Sequence, residues 1–178
     1  MEELKENSFS KSAMFYGAII GISLVLYTFI IYLVGLSTNR YIGFIQYIII
    51  IGGIYISTKK YRDESLKGYI SYGRALGFGT LTIFFSSLII GFFNYILYKF
   101  IDPSLIDKIL AVSEEAMTKQ GLTDEQIDLA IEMTKKFTSP LFLTFSTIFG
   151  LSFMGFLFSL LTSAFVKKKD ESFGSNFQ

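Results

Sequence analysis

Residues 59–79 read K-K-Y-R-D-E-S-L-K-G-Y-I-S-Y-G-R-A-L-G-F-G, and this stretch decides how the chain is threaded. It holds five of the 16 Lys and Arg residues and runs directly into a long apolar segment. Basic residues beside an apolar run are typical of a loop on the cytoplasmic side of a membrane. The stretch therefore separates two predicted membrane spans and orients them. Its basic residues are Lys59, Lys60, Arg62, Lys67 and Arg74.

The composition of the 178 residues favours a protein whose main partner is the lipid bilayer. Hydrophobic residues make up 51% and charged residues 17%, whereas soluble domains carry about 25% charged residues. The formal net charge of +1 gives no field that would attract nucleic acid. The sequence has no Cys and no His, which excludes disulfides, Cys/His zinc sites and catalysis by a Ser–His or Cys–His pair.

Four apolar runs predict four transmembrane helices, because a helix needs roughly 20 apolar residues to cross the hydrocarbon core. The predicted spans are residues 13–36, 41–57, 71–98 and 141–166. The second run is rich in Ile and short, but a lone strand in lipid leaves its backbone unpaired, so a helix is predicted there too. A cleaved signal peptide is the alternative for the first run, which is longer than the apolar region of such a peptide.

Residues 102–138 predict a helical hairpin between the third and fourth spans. Gly121 is a candidate stop for the first arm, and Thr123 with Gln126 three residues later has the pattern of a capping box that begins the second. The tail at 170–178 is polar, lacks periodicity and is predicted to be disordered.

The distribution of basic residues predicts the orientation. Four spans place both termini on one side, where ten Lys and Arg residues flank the membrane, against six on the other side. The hairpin on that second side is acidic as well. The positive-inside rule therefore predicts that both termini are cytoplasmic.

The basic stretch also resembles a known family. The resemblance is carried by Lys60-Tyr61-Arg62-Asp63, Gly68-x-Ile70-Ser71-x-Gly73-x-Ala75, Gly77 and Gly79. This pattern is similar to that of the bacterial "domain of unknown function 4199" family, four-span membrane proteins found mainly in Bacteroidetes. The resemblance covers nearly the whole chain in layout and implies four spans and a bacterial cytoplasmic (inner) membrane. It implies no activity and no site residue.

Polar side chains inside the spans are candidate functional residues, because such groups are costly in lipid and commonly serve a site. Apart from Arg74 at a border, the predicted spans contain no Asp, Glu, Lys or Arg, which weighs against ion-coupled transport. Gln46 and Asn94 lie at similar depths near the outer ends of the second and third spans, so we predict a hydrogen bond between them. Helix packing is the preferred role of this pair, and a substrate contact is the alternative.

Small residues spaced four apart predict close contacts between helices. The first and third spans contain three such pairs, formed by Gly17 and Gly21, Gly73 and Gly77, and Ser87 and Gly91. Packing within the protein is the main prediction. A contact with a protein partner or a second copy through spans 1 and 3 is the alternative, and chance is a third.

Charged residues near the membrane surface have simpler interpretations. Arg74 is expected to extend to the interface or to pair with Asp63 or Glu64, with an anionic headgroup or substrate as the alternative. The rest of the basic stretch is predicted to lie against anionic lipid. The acidic residues of the hairpin lack the pattern of a calcium loop and predict a solvated helix face. They are Asp124, Glu125, Asp128 and Glu132.

The sequence therefore predicts an all-α integral membrane protein with one domain over residues 1–178. Its fold class is a four-helix bundle with an extracytoplasmic helical hairpin between spans 3 and 4. The sequence contains no Walker motif, dinucleotide fingerprint or catalytic constellation, so no enzyme activity, cofactor or metal is predicted. The preferred function is a non-enzymatic accessory or scaffold component. A small transporter or channel for an uncharged or lipid-like solute, lined by Gln46 and Asn94, is the alternative, and a membrane enzyme using the hairpin carboxylates is a weaker one.

Overall fold

The computed structural model describes residues 2–36, with side chains from residue 9, and residues 41–168. The predicted turn at 37–40 and tail at 170–178 lie outside the described residues. The six α-helices of the described part are α1 (Glu2–Leu33), α2 (Gly43–Lys60), α3 (Tyr72–Ile96), α4 (Ser104–Lys119), α5 (Asp124–Phe137) and α6 (Pro140–Val166). Single π-helical turns extend α2 over Tyr61–Ser65 and α3 over Leu97–Ile101. The all-α prediction is confirmed.

Serine caps set the beginnings of the two most apolar helices. The Ser71 hydroxyl accepts the backbone N–H of Arg74 at 3.4 Å, and the Ser139 hydroxyl accepts that of Phe142 at 3.3 Å. Each cap satisfies an N–H group that the first helical turn leaves without a partner. Pro140 at the first position of α6 adds a backbone angle that is already helical.

Three helices are long and apolar enough to cross a membrane, and they cover Phe9–Leu33, Tyr72–Ile101 and Pro140–Val166. The sequence predicted four such helices, and α2 is the difference. α2 ends in Lys59 and Lys60, so its uncharged part, residues 43–58, is about 24 Å long at 1.5 Å per residue. The hydrocarbon core is roughly 30 Å thick. The run at 41–57 therefore lies at the lower limit of length.

α3 is the central helix of the packing, because it lies between α1 and α6 and contacts both. α2 packs mainly on α6 and also contacts α1 and α3. One cluster of buried apolar side chains joins the start of α1, the ends of α2 and α6, and the start of α3. It consists of Ala13, Tyr61, Ile70, Ala75, Phe78 and Val166. α1 and α3 therefore run antiparallel to α2 and α6, and the start of α1 lies at the same end as the end of α6.

A second cluster of branched apolar side chains fills the middle of this bundle. Its buried members come from α1, α2, α3 and α6, and they are Ile20, Leu24, Ile50, Ile54, Ile83, Ile90 and Leu151. The two clusters together form the core that positions the residues described below.

α4 and α5 are polar helices that pack against each other. They are joined at Gly121, whose φ of +78° is a left-handed conformation that favours glycine. α5 begins with a capping box: the Thr123 N–H donates to Gln126 Oε1 at 3.0 Å, and the Gln126 N–H donates to Thr123 Oγ1 at 3.4 Å. α4 also contacts the π-helical turn Leu97–Ile101 at the end of α3.

Candidate functional site

Gly17 and Gly21 of α1 face α3 at close range. A Cβ atom added to Gly17 would lie 2.7 Å from the Thr82 carbonyl oxygen, and one added to Gly21 would lie 2.9 Å from the Ile89 Cβ. Real Cβ atoms essentially never approach closer than 3.0 Å. The Ser86 hydroxyl donates to the Gly17 carbonyl at 2.9 Å. This glycine pair therefore belongs to the interface between α1 and α3.

The opposite side of α3 packs closely on α6 through glycines of both helices. A Cβ atom on Gly91 would lie 2.6 Å from the Ile148 Cγ1, and one on Gly155 would lie 2.6 Å from the Ile83 Cβ. One on Gly79 would meet the Ser159 Oγ at 2.6 Å. α3 and α6 therefore approach each other along several turns.

Sequence reasoning missed Gly79 and Gly155. The same four-residue spacing was present, because Ala75 precedes Gly79 and Ser159 follows Gly155 by four positions. A search that accepted alanine and serine as well as glycine, and that also included α6, would have found both.

Gly73 and Gly77 differ from the expectation of close packing within the bundle. Both are exposed, no atom lies within 4 Å of a Cβ added to Gly73, and the nearest atom to one on Gly77 is the Phe9 Cζ at 3.7 Å. The face of α3 that carries them makes no close approach to α6, and of α1 only the Phe9 ring comes near it. Of the two Gly-x-x-x-Gly pairs, one is thus used inside the bundle and the other stays open on its surface.

Hydroxyl and amide groups also join α3 to α6. The Ser87 and Ser152 hydroxyls share a hydrogen bond at 3.1 Å, and Asn94 Nδ2 donates to the Thr147 hydroxyl at 3.4 Å. Asn94 Oδ1 is buried and has no hydrogen-bond partner. The structure therefore does not form the predicted Gln46–Asn94 bond, because Asn94 turns toward α6 whereas Gln46 lines a different space.

That space is a cavity of about 180 Å³ at the end of the bundle where α1 ends and α2 begins. Leu105 and Ile109 of α4 contribute to its lining. The residues with polar side chains in the lining are Tyr27, Thr28, Tyr32, Gln46 and Tyr98. The Tyr27 hydroxyl donates to the backbone carbonyl of Ile42 at 2.5 Å and so ties α1 to the start of α2.

The five basic residues of the 59–79 stretch divide into two groups. Lys59, Lys60 and Lys67 are exposed, as expected for side chains that face headgroups or water. Arg62 and Arg74 are half-buried and held by contacts within the protein. Only the three lysines are therefore free to meet a lipid surface along their whole side chains.

Arg62 fastens the end of α2 to the end of α6. Its Nη1 donates to the Val166 carbonyl at 2.9 Å, and its Nε forms an ion pair with Asp63 at 2.7 Å. The hydrogen bond from Arg62 lowers the pKa of Asp63 below its ordinary value. Ile70, just before α3, is joined to Lys168, just after α6, because each backbone N–H donates to the other's carbonyl at 3.0 Å.

Arg74 lies in an aromatic pocket. Its Nη2 donates to the Tyr61 hydroxyl at 3.1 Å, and its guanidinium lies 5.8 Å from the centre of the Phe9 ring. Tyr61 in turn stacks on Phe78, with ring centroids 4.1 Å apart and planes 7° apart. Arg74 therefore has two aromatic partners from α1 and the end of α2.

The predicted pairing of Arg74 with Asp63 or Glu64 does not form. Asp63 accepts from its neighbour Arg62, and Glu64 accepts the Tyr16 hydroxyl at 3.3 Å. Both carboxylates therefore accept hydrogen bonds from other residues, and Arg74 donates to the Tyr61 hydroxyl instead.

The acidic residues Asp124, Glu125, Asp128 and Glu132 are all exposed on α5. Among the side chains that the structure describes, no group of three or more Asp or Glu residues is arranged to hold a metal ion.

These features define the class: an all-α protein whose long apolar helices pack through small residues and have the dimensions of membrane spans. The chain belongs to the family described as "Protein of unknown function (DUF4199)", which matches residues 15–168. The resemblance found in the sequence is thereby confirmed. No curated protein and no solved structure matches the chain.

Proposed function

We propose that this chain is a non-enzymatic accessory or scaffold component of a bacterial cytoplasmic membrane that acts through helix–helix contacts. The observation that carries the proposal is the open Gly73–Gly77 face of α3. The other glycines of α3, Gly79 and Gly91, already contact α6, whereas this pair is exposed with room for a neighbouring helix. Small residues at such spacing let helix backbones approach closely in lipid.

The closed interior favours this role over passage of a solute. One turn inward from the cavity that Gln46 lines, the space is filled by buried Leu24 and Ile50, and Ile90 lies in the same apolar cluster. Asn94 is bonded to Thr147 and does not line that cavity. A transport path would need a continuous polar space along the bundle, whereas the buried Ser86 and Ser87 hydroxyls are held in hydrogen bonds between helices.

The proposal includes α2 as a fourth span. Ile50 and Ile54 of α2 are fully buried against the other helices, and the π-helical turn Tyr61–Ser65 continues α2 by another turn. The long side chains of Lys59 and Lys60 can bring their charges to the membrane surface while their stems stay in lipid. With four spans, the α4–α5 pair is extracytoplasmic and both termini are cytoplasmic, in agreement with the distribution of basic residues.

Cysteine labelling tests this threading in a chain that has no cysteine of its own. In single variants Glu3→Cys, Lys67→Cys and Lys119→Cys, a membrane-impermeant maleimide added to intact cells is expected to label only K119C. Lysis should expose the other two to the reagent. Because removing the α2 crossing would put E3C and K67C on opposite sides, labelling of K67C but not E3C in intact cells would contradict the four-span proposal.

Purification from native membrane in mild detergent tests the contact itself. We expect the protein to elute with a mass above that of one copy, and Gly73→Leu to reduce it to one copy, because a Cβ at Gly73 meets no atom within 4 Å and a leucine there fills the space that a partner helix would occupy. Gly52→Leu is the matched control, since a Cβ at Gly52 also meets no atom within 4 Å. Recovery of single copies in several detergents, or equal behaviour of both variants, would refute the scaffold role.

A further inference from the structure

α5 has an apolar face that the described residues leave largely exposed. Leu129, Met133 and Phe137 lie four residues apart, so they share one side of the helix. Their side chains are 61%, 62% and 53% exposed. The side of α5 that packs on α4 is a different one, and its buried anchor is Ile127. The apolar surface of α5 is therefore wider than the contact with α4 requires.

Most of the charged residues of α5 lie off this apolar face. Asp128 and Glu132 come one position before Leu129 and Met133, about a quarter-turn around the helix, and Asp124 continues their line. Glu125 and Lys136 lie at the border between this charged line and the apolar face. A helix with separate apolar and charged faces is typical of a helix that lies in a membrane interface. The third side, toward α4, holds the helix in place.

The apolar face of α5 is continuous with the apolar surface of α6. The Phe137 and Phe142 rings are in contact, with centroids 5.1 Å apart, and only residues 138 and 139 separate the two helices. From Phe142 onward, exposed phenylalanines continue along α6 at Phe145, Phe149 and Phe153. These side chains belong to a helix that is long and apolar enough to cross a membrane. Lipid that surrounds the start of α6 therefore lies next to the end of α5.

We propose that α5 is an interfacial helix whose Leu129–Met133–Phe137 face inserts into the leaflet that surrounds the start of α6. The occupant of this face is lipid at the boundary between headgroups and acyl chains, at a depth of roughly 5–10 Å. The charged face then points to water. α5 thereby fixes the α4–α5 pair against the membrane rather than leaving it free in solution.

A single tryptophan reports on this placement, because the chain has no Trp. Met133→Trp places the probe on the apolar face, and Glu132→Trp places it on the charged face one residue away. Both positions are exposed, so neither change removes a buried contact. Phe149→Trp gives a reference inside the span. Each full-length variant is reconstituted in phosphatidylcholine vesicles whose acyl chains carry bromine near the headgroup.

The M133W fluorescence is expected to be quenched by the brominated lipid several-fold more than the E132W fluorescence, and to be less accessible to acrylamide. Equal quenching of M133W and E132W by lipid would overturn the proposal, because it would mean that α5 stands in water. Protection of M133W from both quenchers would overturn it as well, since protein rather than lipid would then cover the face. Circular dichroism of each variant checks that the helices are intact.

Discussion

Gly155→Ala is expected to lower the free energy of unfolding by ~1–3 kcal/mol, the usual cost of an extra methyl group in a filled interior. The new Cβ would lie 2.6 Å from the Ile83 Cβ, an atom fixed to the α3 backbone that no side-chain rotation can move away. α3 and α6 would have to separate, which would weaken the contacts near Ser87–Ser152 as well. Reversible unfolding in mixed detergent micelles measures the loss.

Gly77→Ala is the matched control for this prediction. Gly77 lies in the same apolar bundle, but the nearest atom to its added Cβ is at 3.7 Å, an ordinary van der Waals contact. Alanine is a better helix residue than glycine by roughly 0.5–1 kcal/mol, so this variant should be as stable as the parent or slightly more so. Equal losses for both variants would mean that the close contact of Gly155 with Ile83 does not decide the cost, and would contradict the packing described here.

The glycines show how far the sequence determines this fold. Spacing alone predicted that helices of this protein pack closely, because small residues four apart share one face of any helix. Spacing does not say which neighbour that face meets. Gly17 meets α3, whereas Gly73 meets nothing within 4 Å, although both belong to the same Gly-x-x-x-Gly pattern. The rotation of each helix about its axis depends on contacts between distant parts of the chain, which a local pattern does not contain.

The predicted pair of side-chain amides, Gln46 and Asn94, shows the same limit of prediction from a local pattern. Gln46 and Asn94 were predicted to pair because they lie at similar depths in the predicted spans. The sequence determines this depth, because it follows from the position of each residue along its span. The sequence does not show which neighbouring helix each side chain faces. In the structure the Asn94 side chain faces Thr147 on α6. Helix start signals, in contrast, were local: the capping box at Thr123 was predicted because the cap and its partner N–H lie within one turn.

Tyr61 is the residue of the 59–79 stretch whose replacement should have the largest effect. It is only 1% exposed and stacks on Phe78, and its hydroxyl accepts the hydrogen bond of Arg74. The sequence assigned this stretch mainly to orientation in the membrane. Its contacts show a second role, since they lock the end of α2 to the start of α3.

Tyr61→Ala is therefore expected to cost ~3–5 kcal/mol of stability, as for other large aromatic side chains removed from a core. Tyr61→Phe keeps the ring and its stacking but leaves the Arg74 guanidinium without its hydroxyl partner, so its expected cost is smaller, ~1–3 kcal/mol. Tyr55→Ala, at an exposed position of α2, serves as the control and should cost least. Unfolding measurements are expected to show the largest loss of stability for Tyr61→Ala, a smaller loss for Tyr61→Phe and the smallest for Tyr55→Ala. If Tyr61→Ala cost no more than Tyr55→Ala, the aromatic cluster would not hold the helix ends together.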